Sequence, residues 1–162
     1  RNVKKVHAYG VEVKANLAVQ PAKNWLIDLS GPNSWPPSIK EGEKMSPADQ
    51  SVRKQLPYVP KYSPSLTGYI SWGTWAFLYK WAFYSECFTM SSNDYTLIGD
   101  LPRYFMSNIL FEKKLLLKPM DVQLKFAVNN LLNEDYFSVL SCPMPGINFE
   151  LFIGITSKSW KN

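Results

Sequence analysis

Residues 120–129 read MDVQLKFAVN, residues 130–146 NLLNEDYFSVLSCPMPG, and residues 147–156 INFELFIGIT. The two outer pieces alternate strictly. In the first, Val122, Leu124, Phe126 and Val128 fall on one face, with Gln123, Lys125, Ala127 and Asn129 on the other. In the last, Ile147, Phe149, Leu151, Ile153 and Ile155 oppose Asn148, Glu150, Phe152, Gly154 and Thr156. Successive side chains of a strand point to opposite faces, so a period of two marks a strand with one apolar and one polar side.

The same rhythm runs upstream. Over residues 9–20, Val11, Val13, Ala15, Leu17 and Val19 alternate with Glu12, Lys14, Asn16, Ala18 and Gln20. A short turn at Pro21 to Asn24 leads to Trp25, Ile27 and Leu29, which begin a second strand against Asp28 and Ser30. A third strand is expected over residues 66–76 and a fourth over 79–89, where Tyr79, Trp81, Phe83 and Cys87 oppose Lys80, Ala82, Tyr84 and Glu86. The fifth spans 103–117, with Phe105, Ile109, Phe111 and Leu115 on its apolar side, although Met106 and Leu110 interrupt the polar one. With 120–129 and 147–157 this makes about seven strands and no stretch of helical periodicity.

Between the second and third strands, residues 31–63 read as one long loop. Pro32, Pro36, Pro37, Pro47, Pro57 and Pro60, with Pro64 at its edge, are seven of the chain's 12 prolines, and proline cannot donate to a strand ladder. Residues 90–102 and 130–145 are the other long connections. Those at Pro21, near Ala76 and at Pro119 are short. Long loops at one end and tight turns at the other fit an up-and-down barrel that crosses an outer membrane, whereas a soluble sandwich has no reason for that asymmetry.

Composition agrees with an all-β protein. Of 162 residues, 46% are hydrophobic and 19% charged, which argues against disorder. Six Trp, nine Tyr and nine Phe suit strands and the aromatic belts at membrane surfaces. A mean hydropathy of −0.20 does not oppose a membrane barrel, whose alternating strands average out. Arg1-Asn2-Val3-Lys4-Lys5 leads into a strand pattern rather than the apolar core of a signal peptide. A net charge of +5 without a long basic run argues against a nucleic-acid partner.

Catalytic chemistry finds no foothold. His7 is the one histidine, which removes most nucleophile–histidine schemes and a histidine-rich metal site. Cys87 and Cys142 have no metal-ligand spacing and read first as free thiols and second as a disulfide. Glu12, Asp28, Glu86, Glu112 and Glu150 sit on polar faces among Lys14, Lys80, Lys114 and Lys125, as a charge network lining a lumen would. No enzymatic activity, cofactor or metal is expected. Trp72, Trp75, Trp81, Tyr79, Tyr84 and Tyr104 read first as lipid-facing or interfacial residues and second as stacking platforms for a sugar or aromatic ligand.

An alternating strand, then Asn130-Leu131-Leu132-Asn133 and Tyr136, a variable loop, Pro145-Gly146 and a second alternating strand together resemble the C-terminal end of TonB-dependent outer-membrane receptors. Asn129 and Asn130 belong to that closing pattern. Tyr9-Gly10-Val11-Glu12-Val13 resembles a Gly-(Ile/Val)-Glu strand of these barrels, with Gly10 and Glu12 its matching positions. Leu101-Pro102-Arg103-Tyr104-Phe105 resembles the lead-in to a later strand, and residues 54–60 the run-in to an earlier one. The resemblance implies a bacterial outer-membrane barrel of about 22 strands closed by a plug domain. Such a receptor imports a scarce nutrient such as a ferric siderophore, haem, cobalamin or a glycan, energised through TonB. The partners it implies are outer-membrane lipid, the remaining strands and plug of a parent receptor, and TonB acting through the plug. With seven strands, the chain is expected to be a C-terminal section of such a barrel, with residues 130–145 outside the cell. Tyr58, Tyr136 and Phe137 are then candidate ligand contacts in outer loops. A different reading of the same strands is a soluble, secreted β-sandwich that binds carbohydrate through exposed aromatics.

Overall fold

The computed structural model describes residues 6–8, 10–35, 38–40, 47, 52–93 and 99–157. Seven strands form one antiparallel sheet: β1 (Val11–Val19), β2 (Trp25–Trp35), β3 (Ser63–Trp72), β4 (Trp75–Tyr84), β5 (Tyr104–Leu116), β6 (Met120–Asn129) and β7 (Asn148–Ser157). Each strand pairs with its neighbours in sequence, so the sheet is an up-and-down meander with β1 and β7 as its two edges. It does not close on itself. Three two-stranded pairs accompany it: Val6–Ala8 with Ser38–Lys40, Cys87–Phe88 with Asp100–Leu101, and Phe137–Val139 with Cys142–Pro143. No helix among the described residues is long and apolar enough to cross a membrane, which says nothing about crossing by strands.

The register joins the separate alternations into two faces. Residues opposite one another in an antiparallel ladder point the same way. Thus Leu17 aligns with Leu29, Ile70 with Phe77, Phe77 with Phe111, Phe111 with Phe126, and Phe126 with Leu151. One face is apolar from edge to edge. The other carries Glu12, Asp28, Thr67, Lys80, Glu112, Lys125 and Glu150, tied in places by direct contacts. Glu112 accepts from Gln123 Nε2 at 2.7 Å and lies 3.5 and 3.8 Å from the ammonium groups of Lys114 and Lys125.

Nothing among the described residues covers the apolar face. Phe111 and Phe126, on inner strands, are 46% and 42% exposed, and Leu151 on the edge is 71% exposed. Among the described residues, the buried apolar side chains are Phe83, Phe88, Leu101 and Val128. Phe88 and Leu101 lie in a loop pair, and Phe83 and Val128 sit at the ends of β4 and β6 that lead into loops. Among the described residues the packing is therefore closest at the loop end, and the sheet itself has one layer.

Several boundaries differ from the sequence expectation. The third strand ends at Trp72 and the fourth starts at Trp75, so the turn is Gly73-Thr74 rather than a connection near Ala76. Gly73 takes φ +56°, a conformation that costs glycine little. The fourth strand also leaves the sheet at Tyr84, and Cys87 lies in a loop pair instead. The long connection does not begin at residue 31, because β2 continues through Pro32 to Trp35. Its ladder to β1 is continuous there, whereas the ladder to β3 breaks at residues 31 and 32. At the break the Ser65 hydroxyl donates to the Pro32 carbonyl at 3.3 Å. A Cβ on Gly31 would come within 3.1 Å of the Ser65 carbonyl oxygen, so the absent side chain allows the close approach. His7 lies in the short pair with Ser38–Lys40, opposite Ile39.

Candidate functional site

The three long connections, residues 36–62, 85–103 and 130–147, leave the sheet at one end, and the turns at 20–24, 73–74 and 117–119 lie at the other. The loop end of the polar face holds a cavity of about 450 Å³ lined by Thr67, Lys80, Tyr84, Tyr104, Asn108 and Tyr136, among others. The three tyrosines stack. Tyr84 and Tyr104 are a cross-strand pair with ring centroids 4.8 Å apart and planes 22° from parallel. Tyr136 extends the stack from the last loop, 4.6 Å from Tyr104 at 27°. Each such contact contributes about 0.5–1.5 kcal/mol beyond the area it buries. An aromatic wall with hydroxyl tips, an ammonium group and an amide nearby suits a ring-shaped ligand bearing hydroxyl or anionic groups.

Tyr136 is placed by Asn130. That residue is 1% exposed and takes φ +51°, a left-handed conformation that asparagine tolerates better than most residues. Its Oδ1 accepts from the Glu134 N–H at 2.9 Å, and its Nδ2 donates to the carbonyls of Glu134 at 2.9 Å and Pro145 at 3.3 Å. Its own N–H donates to Asn108 Oδ1 at 2.9 Å, and the Leu131 N–H donates to the Ser107 carbonyl at 2.7 Å. One side chain therefore binds both ends of the 130–147 loop to each other, while the backbone binds that loop to β5. Asn133 provides a second brace, its Oδ1 accepting from the Ile147 N–H at 2.9 Å. That oxygen lies only 2.7 Å from where a Cβ on Gly146 would stand, which explains the glycine.

The positions chosen from the sequence separate into distinct groups. Asn130, Gly146 and the Pro145 carbonyl belong to the loop brace. Asn129 donates to Asn148 Oδ1 and Glu150 Oε1 at 3.0 and 2.7 Å, joining β6 to β7. Gly10, Glu12, Pro102 and Leu131 are exposed and sit apart from the cavity lining. Of the candidate ligand contacts, Tyr136 lines the cavity, whereas Tyr58 and Phe137 do not. Tyr58 is exposed in another loop, where its N–H donates to the Phe88 carbonyl at 2.7 Å. Phe137 is exposed in the short pair with Cys142–Pro143. The sequence reads Tyr84 and Tyr104 first as lipid-facing or interfacial residues. The register puts them on the polar face, and their pairing across 20 residues of chain is not visible in local spacing.

A second loop cluster stands beside the cavity. Ser85, 2% exposed, accepts through Oγ from the N–H groups of Lys61 and Tyr62 at 2.9 and 3.2 Å. Lys61 Nζ lies 3.4 Å from Glu86 Oε1 and 5.6 Å from the centre of the Phe88 ring. Cys87 and Cys142 are both free. Burial, followed by the charges of Asp100 and Glu86, pushes the Cys87 thiol above its ordinary value, so it stays protonated at neutral pH. Among the described residues, no three His, Cys, Asp or Glu side chains come together as a metal-holding group.

No protein-family model matches the chain, and no curated protein matches it.

Proposed function

We propose that this chain forms part of the wall of a bacterial outer-membrane β-barrel, as a C-terminal section of a TonB-dependent receptor that imports a scarce nutrient. The observation that carries the reading is the predominantly apolar face that runs across all seven strands of the sheet, exposed on inner as well as edge strands. In water such a face is a liability, whereas against acyl chains it is the required surface. The strands, of 9 to 13 residues, match the roughly 9–11 that a tilted spanning strand needs. The hydrated lumen is the natural surroundings for the Glu112 network on the opposite face.

In this reading the loop end faces outward and the tyrosine-lined cavity meets incoming substrate, such as a siderophore, haem, cobalamin or a glycan. The plug and its TonB contact come from the parent receptor. So do the strands beside β1 and β7, because each unpaired backbone group at a sheet edge costs several kcal/mol in lipid. A carbohydrate-binding sandwich needs a second layer on the apolar face, and the described residues supply none.

The test is reconstitution with phosphatidylcholine vesicles containing brominated acyl chains. The expected result is β-rich circular dichroism together with quenching of tryptophan fluorescence. A soluble monomer that melts sharply and is not quenched contradicts the proposal. If its fluorescence instead responds to sugars, the sandwich is favoured.

A further inference from the structure

Lys113 is the single charged residue on the apolar face of the seven strands, among side chains that are described. The register sets it in one row with Trp25, Trp72, Trp75 and Leu124, crossing five strands beside the short-turn end. Trp25 and Trp72 stack at 5.4 Å. The Lys113 ammonium sits 4.0 Å from the centre of the Trp75 ring and donates to Thr74 Oγ1 at 2.7 Å. It is held in place, yet it makes no ion pair among the described residues. On the other face, Lys114 and Lys125 share Glu112.

Resting on the barrel reading above, we propose that Lys113 and Trp75 form a binding site for the phosphate of an anionic phospholipid in the inner leaflet. A lysine at mid-bilayer on a lipid-facing strand is costly, and the cost falls away near the interface. Lys113 is next to the turn that carries Thr74, which puts its charge at headgroup depth. Indole rings prefer the same level, with their apolar body toward the acyl chains. The ammonium needs an anion, and the phosphate ester is the anion at that depth. Phe111 and Leu124 lie beside Lys113 on the apolar face and offer a bed for the acyl chain. Because the site is at the short-turn end, the lipid is an inner-leaflet phospholipid rather than a glycolipid of the outer leaflet.

The experiment compares tryptophan quenching by a minor fraction of brominated phosphatidylglycerol with that by an equal fraction of brominated phosphatidylcholine, in phosphatidylcholine vesicles. The expected result is about fivefold local enrichment of the anionic lipid. The preference should be lost in Lys113→Gln, retained in Lys113→Arg, and unchanged in Lys114→Gln on the polar face. Equal quenching by the two lipids, or a preference that survives Lys113→Gln, overturns this inference and leaves the barrel reading standing. A preference lost equally in Lys114→Gln reflects net charge and also overturns it. Absence of quenching by either lipid overturns both.

Discussion

Phe126→Arg is expected to weaken the membrane-inserted fold by about 2–4 kcal/mol, the cost of a cation near mid-bilayer on a lipid-facing strand. Phe126 lies in the middle of three paired strands, between Phe111 and Leu151. It lies six residues from the turn end of β6 and three from its loop end, inside the strand rather than at a rim. The neighbouring change, Ala127→Arg, points to the polar face opposite Glu150 and should move stability by no more than about 0.5 kcal/mol. Urea titration of the two variants from vesicles measures the difference. Equal effects would mean that the two faces do not meet different solvents.

Asn130→Leu is expected to cost about 2–4 kcal/mol, by a different route. The substitution leaves the Glu134 N–H and two carbonyls without their buried partner, at about 1–3 kcal/mol for each group left unsatisfied. It also puts a branched side chain at a positive φ. Water reaching the opened loop offsets part of that sum. Hydrogen exchange should speed up at the amides of Glu134 and Ile147, while the β3–β4 ladder keeps its protection. Asn130→Asp retains the oxygen that accepts from Glu134 and should lose less. Because Tyr136 follows this brace, its stacking on Tyr104 should loosen in the leucine variant. Protection of the 130–147 loop that is unaffected by Asn130→Leu would show that the buried amide does not hold it.

The meander was legible because each strand carries its own alternation, and neighbouring strands in sequence are also neighbours in space. The turn at Gly73-Thr74 is less legible, since Trp72 and Trp75 flank it as strand residues do and the aromatic rhythm runs on across it. Pro32 was misleading in the opposite sense. Proline forbids a donor, but β2 needs none from that residue once its ladder to β3 is interrupted and Ser65 reaches across. Asn130 and Gly146 were visible as a pattern of residue types, while their physical role was not. The brace joins groups 15 residues apart, and only the folded loop shows that one amide serves both ends. The tyrosine stack is the least local feature, combining two adjacent strands with a loop that follows a third.

The most direct test of the account is the solvent on each side of β6. A nitroxide label placed in turn at residues 122–129, with the chain in vesicles, reports its access to oxygen, which concentrates in lipid, and to a water-soluble nickel chelate. The account predicts two oscillations of period two in opposite phase. Residues 122, 124, 126 and 128 should favour oxygen, and residues 123, 125, 127 and 129 the chelate. If the even-numbered positions are shielded from both reagents, another protein layer covers the apolar face, and the barrel reading is contradicted.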